Sequence, residues 1–261
     1  MSVPEPDELA GTEQPFVSHL VELRDRLIRA AIAVGVCAAV LFIYPGPAAL
    51  YDLLAAPLVA HLPAGGTLIA TNVISPFLVP MKITLMTAFL AALPVVLYQA
   101  WAFVAPGLYM HEKKLVLPLV ISSTLLFFLG VAFCYFFVFG KVFTFIQSFA
   151  PKSVSAMPDI EAYLSFVMTM FIAFGAAFEV PIAVVVLARL GVVSIDKLKA
   201  FRSYFIVVAF IVAAILTPPD VVSQLALAIP MVLLYEVGIW AAQIFIRHTQ
   251  PPTTEETSSS S

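Results

Sequence analysis

The sequence predicts an all-α integral membrane protein built from six transmembrane helices. Three observations carry this. The 261 residues are 62% hydrophobic and only 11% charged, where soluble domains carry roughly 45–50% apolar and ~25% charged residues. The apolar residues fall in long runs, which lipid accepts only as helices with internally satisfied backbones. Alternating segments of about ten residues, the mark of a membrane barrel, do not occur.

The first span is expected at about Ile28–Tyr44 and the second at about Val73–Val104. The third covers about Leu115–Phe139 and the fourth about Ile160–Leu190. A fifth at about Ser203–Leu216 and a sixth at about Val221–Ile246 complete the set. Pro45-Gly46-Pro47, Pro106-Gly107, Pro151, Pro158 and Pro218-Pro219 punctuate the runs. The fifth span is short, since about 14 residues rise ~21 Å against a ~30 Å hydrocarbon core. The sixth meets Glu236 early, so the two spans form a shallow hairpin. Between spans one and two, Ala48–Ala60 has an amphipathic pattern that suits a short helix along the outer interface.

Basic residues set the orientation. Arg24, Arg26 and Arg29 precede span one, and Lys113 and Lys114 separate spans two and three. Arg189, Lys197, Lys199 and Arg202 lie between spans four and five, and Arg247 follows span six. All fall on one side, which the positive-inside rule makes cytoplasmic. Both termini are then cytoplasmic. Residues 1–17 hold Glu5, Asp7, Glu8 and Glu13 without Lys or Arg, the wrong charge for a secretory signal, and are expected to be a flexible acidic tail. Residues 18–246 form the membrane domain. Residues 247–261, rich in Pro, Thr, Glu and Ser, are expected to be disordered.

Five sets of residues could carry chemistry. Glu22 shares a helical stripe with Arg26 and Arg29. It either pairs with Arg26 or accepts an arginine from outside. Glu112 follows the helix-breaking Pro106-Gly107, and either answers a helix dipole or acts as a second acceptor. Two carboxylates on one rim would suit two guanidinium groups, because arginine and carboxylate bond in a planar, bidentate way. Glu179 lies inside span four, where an ionisable residue is costly and marks function by default. Pro181 beside it frees the carbonyl of Ala177. Asp220 and Gln224 are weaker candidates, for a turn or cap and for an interhelical bond. Lys82 either snorkels or pairs within the outer half of the bundle.

Cys37 and Cys134 lie in apolar runs and suggest neither a disulfide nor a metal site. The small net charge of −3 gives no sign of nucleic-acid binding. His-Glu-x-x-His, Gly-x-Ser-x-Gly and Gly-rich phosphate loops are absent from the sequence, so neither an enzyme nor a cofactor is expected.

Separated motifs carry a family resemblance. They are Ser18–Leu27; Ala56-Pro57-Leu58; Ser75-Pro76-Phe77; Tyr98–Tyr109; Ser165-Phe166 with Ala173-Phe174-Gly175 and Phe178-Glu179-Val180-Pro181; and Leu216–Asp220. In this order, over about residues 16–246, the chain resembles the TatC family, the multispanning core subunits of the twin-arginine protein translocase. The resemblance implies a cupped six-helix bundle in the bacterial inner membrane. It implies recognition of twin-arginine signal peptides at Glu22 and Glu112, with Phe103 and Arg24 beside them. It also implies assembly with TatA- and TatB-like single-span subunits in an oligomeric receptor complex, with Glu179, Gln224 and Asp220 as intramembrane polar or partner contacts. Export of folded proteins would draw on the proton-motive force. The competing reading from the residues is a proton-coupled small-solute transporter using Glu179.

Overall fold

A computed structural model describes residues 10–59, 68–104, 113–148, 158–217 and 220–247. All the regular elements among them are helical. In chain order these are α1 (Ala10–Ile43), α2 (Pro47–Val59), α3 (Ser75–Ala91), α4 (Leu93–Val104) and α5 (Lys113–Phe133). A π-helical turn (Cys134–Val138) leads into α6 (Phe139–Ser148). Then come α7 (Ile160–Phe178), α8 (Val180–Arg189), α9 (Ile195–Ala200), α10 (Arg202–Leu216) and α11 (Val221–Arg247). Of the tails expected at 1–17 and 247–261, residues 1–9 and 248–261 lie outside the described residues, while α1 begins at Ala10 and α11 ends at Arg247.

Four of the described segments are long and apolar enough to cross a membrane: His19–Ile43, Leu117–Ile146, Ile160–Arg189 and Val221–Ile244. The expected second span is a bent pair, Ser75–Ala91 and Leu93–Phe103, turning by 58°. Pro94 explains the bend. It has no N–H to offer the carbonyl four residues back, and its ring crowds that carbonyl. The expected fifth span is α10, a shorter apolar helix of 15 residues. One expectation is corrected. The sixth span keeps its expected bounds, but Glu236 does not cut it short: α11 runs for 27 residues and passes Glu236 without a break. Its carboxylate is met by Arg202 Nη2 at 2.7 Å, so the charge does not stop the helix.

The chain folds as two compact units. The first holds residues up to Leu125 and Phe143–Met168. In it α1 packs on α3 and α4, and α2 packs on α3. Its apolar centre is Leu50, Val79, Ile83, Ile160 and Leu164. Gly46, at φ 91°, makes the turn into α2 in a conformation open mainly to glycine. Asp159 ties this unit together. Its Oδ2 accepts the backbone N–H groups of Glu161 and Ala162 (3.1 and 3.0 Å), capping α7. Its Oδ1 accepts Thr71 N–H and Oγ1–H (3.1 and 2.9 Å). These bonds hold the Asp159 carboxyl below the usual carboxylate range. Beside it, Glu161 accepts Ser75 Oγ–H at 2.8 Å and Lys82 Nζ at 3.0 Å. Lys82 therefore pairs, the second of its two sequence readings.

The second unit holds Leu126–Val142 and the chain from Thr169 onward. Two close helix contacts shape it. A Cβ placed on Gly130 would stand 2.5 Å from the backbone oxygen of Phe174. One placed on Gly238 would stand 2.9 Å from Pro181 Cα. Phe133 packs among Phe137, Phe174 and Phe178, and Phe139 stacks on Phe171 at 5.5 Å between ring centres. Further along, Tyr235 stacks on Phe205 at 4.0 Å and donates to Leu198 O at 2.9 Å.

Candidate functional site

The polar residues at the start of the apolar run in α1 share one helical face. His19, Glu22 and Arg26 lie at spacings of three and four, so their side chains stand one above another. The His19 ring stacks on the Phe103 ring from the end of α4, with centres 4.3 Å apart and planes 20° from parallel. That contact joins positions 84 residues apart and places Phe103 next to the Glu22 face. Arg26 donates through Nε (2.9 Å) and Nη2 (2.5 Å) to a single oxygen, Oε1 of Glu22. The Glu22 side chain is 42% exposed and that of Arg26 only 19%. Arg24 turns the other way and pairs with Asp25, at 3.0 Å from Nε and 2.8 Å from Nη2. The intrahelical pairing foreseen for Glu22 is thus present, and its carboxylate stays partly exposed one turn from the His19–Phe103 stack. Glu112 lies outside the described residues, as does the stretch from Ala105 that leads to it.

In the second unit, Glu179 sits at the break between α7 and α8. The break follows from Pro181 in the first turn of α8, which leaves the Ala177 carbonyl without its usual donor. Glu179 is half-buried, with its Oε1 enclosed. Asp220 and Gln224 come together at the start of α11. Asp220 Oδ1 accepts Ser223 N–H at 2.7 Å, the cap foreseen for it. Gln224 Nε2 reaches the Phe210 carbonyl at 3.4 Å, joining α11 to α10. Asp220 Oδ2 and Ser223 Oγ are buried with no hydrogen-bond partner among the described residues.

Sequence reasoning missed Asp159, Glu161 and the His19–Phe103 stack. Asp159 carried a readable signal, an aspartate immediately before an apolar helical run. Glu161 carried a weaker one, an acid in the first turn. Trp101 donates to Ser123 Oγ at 2.9 Å and ties α4 to α5.

These features define a helical membrane protein that spans the bilayer several times. Comparison with known proteins is specific. The family model described as Sec-independent protein translocase protein (TatC) matches residues 18–230. The chain belongs to the TatC family. It is 54% identical over 232 residues to a Sec-independent protein translocase protein TatC of Halothiobacillus neapolitanus, covering 89% of this chain and 63% of that protein. It is 48% identical over 233 residues to that of Escherichia coli K12, covering 89% and 90%. A crystal structure of the twin-arginine translocase receptor TatC superposes with a TM-score of 0.75 at 39% identity, over 88% of this chain and all of that one.

Proposed function

We propose that this chain is the receptor subunit of a twin-arginine translocase in the bacterial inner membrane, with both termini in the cytoplasm. It binds twin-arginine signal peptides through Glu22 and Glu112, with Phe103 and Arg24 alongside. It assembles with TatA- and TatB-like single-span subunits and supports export of folded proteins driven by the proton-motive force. The observation that carries the reading is the Glu22 carboxylate, partly exposed near the start of the apolar run of α1, one turn from the His19 ring that stacks on Phe103, in a chain of this family. A carboxylate there attracts a guanidinium, and an aromatic ring beside it adds a face for the cation or an apolar signal residue.

Glu179 and the pair Asp220–Gln224 are the contacts we assign to the partner subunits' membrane helices. Their support is chemical. Polar side chains in an apolar setting bind best where another helix brings a matching polar group.

The test is crosslinking of a twin-arginine signal peptide to the purified protein. Glu22→Lys and Glu112→Lys are each expected to abolish the adduct. An adduct indifferent to both changes would refute the carboxylate reading. For Glu179, exchange to Gln is expected to leave folding intact and to weaken copurification of the single-span partners.

A further inference from the structure

We infer that Arg26 is a resident occupant of the Glu22 carboxylate, which an incoming arginine must displace from one oxygen. This rests on the reading of Glu22 as an arginine acceptor. Two geometric facts lead to it. Both donors of Arg26, Nε and Nη2, go to Oε1, and no described residue donates to Oε2. Arg26 is also the more covered of the two, 19% exposed against 42% for Glu22, so the internal guanidinium is held on the inner side of the carboxylate.

A bidentate arginine–carboxylate pair uses both oxygens, one for each of two parallel N–H groups. A guanidinium arriving from solution finds Oε2 open and makes one bond. To make the second it must take Oε1 from Arg26. The internal pair has the favourable order, acid four residues before base, and such pairs bias a helix by about twofold. Arg26 is therefore a weak competitor. It lowers the affinity for the signal without blocking it, and Glu22 does not stand as a bare charge between binding events. A lysine offers a point charge instead of a fork. It can use Oε2 alone and leaves Arg26 in place. Arg26 thus also bears on the contrast between arginine and lysine signals.

The experiment uses the full chain in nanodiscs and two fluorescent peptides of one signal sequence, carrying paired arginines or paired lysines. Their dissociation constants are read by anisotropy. Arg26→Gln is expected to tighten the twin-arginine peptide about two- to threefold and the twin-lysine peptide less. Arg29→Gln removes the same charge one turn on and is expected to change either peptide by a smaller factor. Unchanged or weaker twin-arginine binding in Arg26→Gln overturns the inference. So does equal tightening by Arg29→Gln, which would make the effect one of net charge. Should Arg26→Gln not fold, Arg26→Lys, which keeps the charge but loses the fork, is expected to give a smaller tightening of the same sign. Glu22→Gln separates the two levels. Loss of binding there, with no gain in Arg26→Gln, leaves the receptor reading standing and removes the competitor. No loss in Glu22→Gln removes both.

Discussion

Gly130→Ala tests the packing of the second unit most directly. The added methyl would lie 2.5 Å from Phe174 O and 2.9 Å from Phe178 Cγ. Ordinary contact begins near 3.4 Å, so α5 and α7 must part by close to 1 Å at this crossing. The nearest obstacle is main chain and cannot swing aside. Overpacking of this kind costs about 1–3 kcal/mol. Replacing a helical glycine returns ~0.5–1 kcal/mol, which at the middle of each range leaves a net loss of about 1 kcal/mol. At about 2–4 °C per kcal/mol for a chain of this length, the melting temperature should fall by ~2–4 °C. Gly35→Ala is the matched control. Gly35 lies inside α1, and nothing stands within 4 Å of the place its methyl would take, so only the gain applies and the melting temperature should rise by ~1–4 °C. A thiol-reactive dye reports both, because Cys134 is fully buried one turn beyond Gly130. A Gly130→Ala protein as stable as the parent, or a Gly35→Ala protein that falls with it, refutes the argument from close approach.

Three further outcomes are expected. The Lys82–Glu161 pair is substantially exposed on both sides, so a double-mutant cycle with Lys82→Met and Glu161→Gln should give a coupling below about 1 kcal/mol that shrinks with added salt; a larger, salt-insensitive value would place the pair in a drier setting. Asp159 is held below its unfolded value by the bonds it accepts, so its contribution is complete above about pH 4 and is lost as pH falls through the lowered native value; melting temperature measured from pH 5 downward should drop more steeply in the parent than in Asp159→Asn, and parallel curves would exclude this role. Tyr235→Phe removes a buried donor to Leu198 O and should cost about 0.5–1.5 kcal/mol in the same melt, with no change expected in peptide binding.

The sequence was most readable where one residue acts on its own helix. Apolar runs located the helices, Pro181 marked the break at Glu179, Asp220 capped α11, and Glu22 stood four residues from Arg26. Contacts across long separations were not readable. Thr71 meets Asp159 over 88 residues and Lys82 meets Glu161 over 79, and either acid alone looks like an ordinary helix-start residue. The place of Glu236 in α11 was misread for the same reason. Glu236 reads as the edge of an apolar stretch until Arg202, 34 residues away, is seen to neutralise it. The bend at Ala92 had its cause in plain view at Pro94, but an unbroken apolar run concealed it, since proline within a membrane helix can kink it slightly or sharply.

The π-helical turn at Cys134–Val138 bears on how this chain can change in length. Each residue added to or removed from an α-helix rotates everything beyond it by about 100°, which would turn Phe139 and Val142 out of their buried positions. A π turn already holds one residue more than the α-helical path needs. Phe136 and Phe137, both facing outward, lie within it. Loss of one of them lets the turn close into α-helix while the faces on either side keep their direction. Natural variation by a single residue in this helix should therefore collect at the π turn and be rare elsewhere along it.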